Sequence, residues 1–395
     1  MPFYWRISLF YFFYFATLGA IIPYWGLYLK SLGFSPQAIG TLMAILMATK
    51  IIAPNLWGWL GDHLQRRMAI VRLASFLAAL AFAGVLLDTS FLWLAAVMAT
   101  FSFFWNAALP QFEATTLNHL GPHAHRYSLI RVWGSVGFIA AVAILGQVLE
   151  HHGTSSLPVV ILLLLGGIGL SSLGVPEAPT ASSEVHPPFW AVLRQPGVLA
   201  FLAACFLIQA SHGPYYAFFS IYLEEHGYAR GVIGQLWALG VIAEVGVFLL
   251  LSRLMERHGM FPIFAASLFL AALRWLAIGW GVDHPPVMVL AQILHAASFG
   301  SYHGVAMALV HRFFTGRHQG RGQALYSSLS FGAGGAVGSL YSGYTWELWG
   351  GAWTYTLASL LSLAALGIAW HFLRSLELSD HPPYLSKMFQ QQEMR

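Results

Sequence analysis

Five ionisable side chains stand where a long apolar run should carry none: Lys50, Glu113, Arg131, Glu244 and Arg274. A charge at the centre of a bilayer costs roughly 2.5–3.5 kcal/mol on insertion scales, so each one points to the handling of an ion or a substrate. His212, His295 and His303 interrupt similar runs. Glu244 is the natural proton carrier, because an acid that alternates between protonated and paired states supplies a two-state switch. Glu113 and Arg131 lie in consecutive antiparallel runs, each roughly two turns from the same end, so they can meet at one depth. The arginine offers a planar fork for a substrate carboxylate, and a salt bridge clamping the two runs satisfies the same spacing. Gln209, His212, Tyr215, Tyr216, Trp237 and Gln292 can line a cavity, with aromatic walls for a ring-bearing substrate and amides to orient it. Packing alone explains the same aromatics, and the three histidines also fit as hydrogen-bonded core residues.

The elements that must position these groups are plain in the composition. The chain has 395 residues, 58% of them apolar and only 9% charged. A soluble globule, nearer a quarter charged, cannot cover itself so sparsely, and disorder needs the opposite composition. Cys205 is the single cysteine, which excludes a disulfide framework and Cys-based metal sites. The net charge of +4 is too scattered for a nucleic-acid footprint. Apolar stretches near 4–29, 38–60, 69–87, 91–117, 127–149, 156–174, 197–223, 231–252, 262–281, 286–312, 321–345 and 350–373 are each long enough to span a bilayer as a helix. Turn residues separate them, such as Gly33 to Pro36, Gly227-Tyr228 and Gly350-Gly351. The first stretch is too long for a signal peptide and lacks a small-residue cleavage site.

Basic residues set the orientation. With twelve spans, one face receives Arg6, Arg66, Arg67, Arg72, Arg126, Arg194, Arg253, Arg257, Arg312, Arg317, Arg321, Arg374, Lys387 and Arg395, and the other only Lys30 and Arg230. The positive-inside rule predicts both termini in the cytoplasm, with the chain in a bacterial-type inner membrane. Residues 175–196, rich in Pro and Ser, read as a cytoplasmic linker between a 1–174 half and a 197–375 half, with 376–395 as a cytoplasmic tail. The halves repeat at an offset of 194, which aligns Gly33 with Gly227, Ile39-Gly40 with Ile233-Gly234 and Tyr28-Leu29 with Tyr222-Leu223. The expected fold class is therefore an all-α membrane protein of twelve helices, in two six-helix halves related by a pseudo-twofold axis. The same offset makes Lys50 the mate of Glu244, so the two are expected to face each other across a central cavity, with Lys50 a member of the proton-coupling group.

After the second run stands Gly58-Trp59-Leu60-Gly61-Asp62-His63-Leu64-Gln65-Arg66-Arg67. This resembles the loop signature of the major facilitator superfamily, with Gln65 where that family usually has Gly. Gly58 would permit close helix approach. Asp62 with Arg66 or Arg67 would close the cytoplasmic gate by charge pairing. Further runs resemble the phenylpropionate-permease branch, itself similar to the oligosaccharide and nucleoside proton symporters: Arg131 to Gly137, Gln209 to Tyr216, Gln235 to Glu244, Leu273-Arg274-Trp275 and Gln292 to His295. The resemblance implies proton-driven uptake of a small organic solute. It places Glu113 and Arg131 in the substrate site, and Arg274 and His295 with Glu244 in a proton-coupling group. One departure matters. Those symporters carry a carboxylate one turn after the histidine, and this chain has Ser298.

The reading is a secondary transporter, a proton symporter of a small organic acid with no cofactor, no metal and no nucleic-acid partner, working as a monomer in the lipid bilayer. Symport of a neutral sugar or nucleoside, or efflux of a small solute, remains the alternative. His119, His123, His125, His151 and His152 fall in loops on opposite faces without carboxylates, which argues against a metal site. Gly332 to Gly338 has no preceding strand and no following Lys-Ser/Thr, so it reads as a helix-packing face rather than a nucleotide loop. No nucleophile motif supports a membrane enzyme.

Overall fold

The structure, a computed structural model, describes residues 3–178, 189–315 and 318–374, without the side chains of Asp62, Pro122, Ala124, His125, Phe189 and His318. Residues 179–188 of linker 175–196 and the whole of tail 376–395 lie outside the described residues. Every regular element among those described is helical.

Spans 1 to 6 are Tyr4–Ser31, Pro36–Leu64, Arg67–Ala83, Phe91–Leu120, Tyr127–His152 and Leu157–Leu173. Span 7 is Pro196–Ser211 followed by Gly213–Glu225, interrupted at His212, where Pro214 removes a backbone donor. Span 8 is Arg230–His258 and span 9 Met260–Gly281. Span 10 runs from Pro285–Ile293 through a π-helical turn, Ala296–Ser301, into Tyr302–Phe313. The last apolar stretch, Gln319–Phe372, is 54 residues of helix. At 1.5 Å per residue it would measure about 80 Å, far beyond a hydrocarbon core of about 30 Å. Gly350 breaks it, with φ 77° and ψ 176°, a conformation open to glycine and closed to most other residues. Span 11 therefore ends before Gly350 and span 12 follows it, so the membrane is crossed twelve times and both described ends share one face, here the terminal face.

Local chemistry fixes several boundaries. Ser35 caps span 2, its Oγ accepting the Ala38 N–H at 3.3 Å, with Pro36 in the first turn. Span 2 stops at Gln65, whose φ of 53° and ψ of 28° lie in the left-handed region. It is the one non-glycine residue with positive φ among those described. The loop demands a glycine-like conformation, and here a glutamine bears a strain of about 1 kcal/mol. The first amide of the next turn, Met68 N–H, is held by the Glu177 carboxylate at 3.1 Å, an anion at a helix N-terminus.

Spans 1 to 6 pack among themselves, as do spans 7 to 12, and the two sets meet where span 2 touches 11, span 5 touches 8 and span 1 touches 7. Exposed tryptophans fall at the span ends: Trp5, Trp59, Trp190 and Trp370 toward the terminal face, and Trp93, Trp280, Trp349 and Trp353 toward the opposite face. That is the pattern of two interfacial belts. The glycine run of span 11 is a packing face: a Cβ on Gly338 would lie 2.5 Å from the Ala210 carbonyl, and one on Gly332 would lie 2.9 Å from Ile51.

Candidate functional site

The contact between the two sets is uneven along the membrane normal. Toward the opposite face it is backbone against backbone. A Cβ on Gly26 would lie 2.6 Å from the Ala217 carbonyl, one on Gly40 2.7 Å from Gly343, and one on Gly146 2.7 Å from the Arg230 carbonyl. On the side of span 8 that meets span 5, Gly234 and Ala238 are buried. One and two turns further toward the terminal face, the same side carries the half-exposed Val241 and Val245, and then Phe248 at 40% exposure. Between spans 5 and 8 the seam is closed at the opposite face and parts toward the terminal face, whereas spans 2 and 11 stay joined as far as Asn55, which donates to Ser328 at 2.9 Å.

In the first set, Arg131 Nε lies 3.7 Å from Glu113 Oε1, and both side chains are about a third exposed (31% and 28%). Tyr127 donates its hydroxyl to the same carboxylate at 3.1 Å. The guanidinium carbon sits 3.9 Å over the Phe15 ring and 5.6 Å from that of Tyr11, a cation–π contact that holds the fork flat. A distance of 3.7 Å is an ion pair without a hydrogen bond, so Glu113 balances the charge of Arg131 and leaves its Nη atoms available.

In the second set, Glu244 Oε2 approaches His295 Nε2 at 3.4 Å, both groups being well buried. Gly240 and Gly300 allow this. A Cβ on Gly300 would lie 3.0 Å from the Glu244 side chain, and one on Gly240 3.4 Å from the His295 ring. His295 stacks on Phe299, with ring centroids 5.3 Å apart and an interplanar angle of 5°. Glu244 lies within electrostatic range of His303 and of Arg131 in the first set.

Arg274 is fully buried. Its Nε donates to the Ala291 carbonyl at 2.8 Å and its Nη1 to Ser298 Oγ at 3.3 Å. Its guanidinium lies 4.1 Å over Tyr215 and 4.7 Å over Trp275. Around it pack residues of the set expected to line a cavity, and Tyr215, Trp237, Gln292 and His212 are all buried. Tyr215 donates to Gln292 Oε1 at 2.8 Å and packs on Trp237 at 4.4 Å, and Trp237 donates to Ser220 at 3.0 Å. His212 lies against Tyr216, and its Nδ1 meets the Ile208 carbonyl at 2.7 Å. Gln209 Nε2, His212 Nε2, Arg274 Nη2, Gln292 Nε2 and His295 Nδ1 are buried with no hydrogen-bond partner among the described residues. Unfilled polar atoms in one cluster mark a place where a polar ligand or water is accepted.

Two expectations from the sequence are corrected. Lys50 does not meet Glu244. It stands at the seam between spans 2 and 11, where its carbonyl accepts from Ser328 at 3.4 Å, and no ion pair joins it to Glu244 among the described residues. An offset of 194 fixes depth within each half and says nothing of which side chain crosses the seam. Gly58 is not the close-approach glycine of its loop. A Cβ there would sit at an ordinary 3.6 Å from Gln111, whereas one on Gly61 would sit 2.6 Å from Gln111 Oε1. Arg66 is exposed beside Gln65, and Arg67 opens span 3. The Asp62 side chain of the expected gate lies outside the described residues. Ser298, read as a departure, is a ligand of Arg274. Phe15, Tyr11 and Tyr127 around Arg131, and Ser220 beneath Trp237, went unnoticed. Only their register, one helical face aimed at the charges, could have marked them.

With twelve spans in two packed sets and charges gathered at the seam, the family follows from comparison. Residues 4–357 match the model of the MFS_1 like family. The chain belongs to that family. It is a secondary transporter of the major facilitator superfamily and not an enzyme, a multi-pass membrane protein that binds a small-molecule substrate. It is 30% identical over 374 residues to the "Probable 3-phenylpropionic acid transporter" of Escherichia coli (strain K12), covering 90% of this chain and 94% of that protein. It is 27% identical over 371 residues to the maltose permease of Geobacillus stearothermophilus, covering 91% of each. Among solved structures, the nucleoside transporter NupG superposes with a TM-score of 0.81 at 16% identity, over 95% of this chain and 100% of that one. At that identity the likeness shows the fold alone, the major facilitator fold.

Proposed function

We propose that this transporter imports a small organic acid, aromatic in part, in symport with protons. Residues 1–174 and 197–375 act as two halves that rock about the central site, joined by linker 175–196 and followed by tail 376–395. Both termini face the cytoplasm of a bacterial-type inner membrane, in keeping with the crowding of basic residues on the terminal face. With that orientation, the parted seam corresponds to the inward-facing state from which substrate is released. The protein works as a monomer.

The observation that carries the reading is the carboxylate–imidazole contact of Glu244 and His295 at 3.4 Å, deep in the membrane and within electrostatic range of Arg131. A carboxylate so placed is satisfied in only two ways, by a positive partner or by a proton. A proton on Glu244 Oε2 removes its charge and frees it from partners on either side of the seam, so the halves can turn with the proton aboard. Its departure to the cytoplasm restores the charged state. His295, placed beside it, is a hydrogen-bonding partner for either form. Substrate enters between this group and the Glu113–Arg131 pair, with Gln209, His212, Tyr215, Tyr216, Trp237 and Gln292 as its walls and hydrogen-bonding groups. Asp62 with Arg66 or Arg67, beside Gly58, gates the cytoplasmic side. The relative named for 3-phenylpropionic acid favours an aromatic acid over a sugar.

The test is uptake of 3-phenylpropionate into proteoliposomes, with the exterior acid and the interior neutral. Accumulation above the external concentration, abolished by a protonophore, supports the reading. Uptake that only equilibrates and ignores the gradient overturns proton coupling. Uptake of maltose or a nucleoside in place of the acid overturns the substrate class.

A further inference from the structure

The membrane-embedded charges do not balance. Glu113 offsets Arg131, and Glu244 is held by His295. Arg274 is spent on a carbonyl, a hydroxyl and two ring faces. Lys50 alone of the five has no ion pair or side-chain hydrogen bond among the described residues. With neutral histidines, two acids face three bases; Arg274 and Lys50 both lack an acid partner, and Lys50 is the one whose head group has no hydrogen bond or ring contact among the described residues either.

Its direction can be read from the helix. Ile52, Leu56 and Trp59 are 63%, 46% and 64% exposed and form the lipid-facing stripe of span 2. At about 100° per residue, Lys50 lies roughly opposite that stripe, on the interior side of the span. It is nonetheless partly exposed. Exposure on the interior side at mid-span is exposure to the space between the two sets of helices. Its backbone lies against Gly332 of span 11, so the residue stands at the seam between the two sets of helices.

An uncompensated cation in the translocation path is costly in the empty carrier, and an arriving anion relieves that cost. Arg131 offers less, since a carboxylate taking its charge must displace Glu113 and strand it. We propose that Lys50 is the counter-ion of the substrate's carboxylate, and that it makes the carrier selective for a singly charged carboxylic acid over its neutral analogues. Arg131 then contributes hydrogen bonds and a flat stacked surface rather than net charge. The inference rests on the organic-acid reading above and names the group that would enforce it.

The experiment compares binding of 3-phenylpropionate with that of its primary amide, on purified wild type, Lys50→Gln and Lys50→Arg. Wild type is expected to favour the acid by tenfold or more. Lys50→Gln should lose at least tenfold for the acid while keeping its affinity for the amide within about twofold, which also shows that the variant is folded. Lys50→Arg should retain the preference. If Lys50→Gln binds the acid as wild type does, or if wild type binds acid and amide alike, the proposal falls while transport stands. If wild type binds neither, the organic-acid reading falls and takes the proposal with it.

Discussion

The two halves hold their charges in opposite ways. In spans 1 to 6, Arg131 and Glu113 are each about a third exposed and meet at 3.7 Å without a hydrogen bond. In spans 7 to 12, Arg274 is wholly buried, bonded at 2.8 Å to a carbonyl and wedged between Tyr215 and Trp275. A loose pair in an opening can exchange partners at little cost. A guanidinium bonded through Nε and Nη1 and stacked between two rings in a fully buried site cannot, and serves as a fixed strut. The contrast implies a division of labour. On the proposed function, the first half would present adjustable charge to a substrate, and the second would hold a rigid aromatic frame in which one group, Glu244, changes state.

The largest expected effect tests that freedom. Glu244→Gln fixes the uncharged form. It should still bind substrate and exchange it across the membrane, yet lose accumulation against a gradient completely, because no proton can leave. Counterflow and gradient-driven uptake measured on one preparation decide this. Concentrative uptake by Glu244→Gln would refute the assignment, and loss of exchange as well would mark Glu244 as structural.

The strut comes next. Arg274→Gln removes a bond to the Ala291 carbonyl and two cation–π contacts from a fully buried site, and should cost about 2–4 kcal/mol of stability. The matching change at the exposed pair, Glu113→Gln, should cost under about 1 kcal/mol. Thermal unfolding in detergent compares the two, and equal losses would erase the contrast between the halves.

A smaller effect sharpens the role of Arg131. Arg131→Lys keeps the charge and loses the planar fork that rests on Phe15. Affinity should fall by about tenfold, or about 1.4 kcal/mol. The fall should be similar for a carboxylic acid and its amide, since the charge of Arg131 is already met by Glu113. A loss confined to the acid would move the carboxylate from Lys50 to Arg131.

What was legible in the sequence follows the same physics. Runs of about 20 apolar residues cannot be hidden, so all twelve spans stand within a few residues of their expected places. The Glu113–Arg131 contact was legible because two antiparallel neighbours joined by a short loop share depth. The partner of Glu244 was legible only in part: repeat symmetry offered Lys50 and the family resemblance offered His295, and the residue at contact distance is His295, two spans away. Depth is a one-dimensional quantity that sequence records, and facing across a seam depends on rotation and tilt, which it does not. Gln65 stood out as the wrong residue for its loop, and only the backbone showed why: the position is left-handed. The tight glycine proved to be Gly61 rather than Gly58, because which side of span 2 meets Gln111 is again a matter of rotation.

The smallest effect concerns the closed end of the seam, where the halves are tied by charge. Lys30 and Arg230 are the two basic residues that the sequence leaves on the opposite face, and both sit where the halves meet. Lys30 of span 1 pairs with Glu225 at 3.0 Å and Glu224 at 3.7 Å, at the end of span 7. Arg230 grips Glu224 Oε1 through Nε and Nη2 at 2.9 and 2.8 Å, and its Nη1 reaches the Leu149 carbonyl of span 5 at 2.9 Å. The ties are about a third exposed, so each contributes at most about 1 kcal/mol and is weakened by salt. That suits a latch better than a strut, because a carrier that must reopen this end on every cycle cannot close it with a contact as deep as that of Arg274. Arg230→Gln removes the grip on Glu224 and the reach to span 5, leaving the backbone N–H of residue 230 on Glu150. The equilibrium should shift toward opening at that face by about five- to tenfold. A cysteine at Ala238, buried at the closed seam, reports the shift through its labelling rate with a membrane-impermeant maleimide, against the buried Cys205 as background. Labelling should quicken severalfold in Arg230→Gln, and raised salt should quicken it in the parent with Arg230 intact. An unchanged rate under both conditions would show that the close glycine contacts hold this end shut without help from charge.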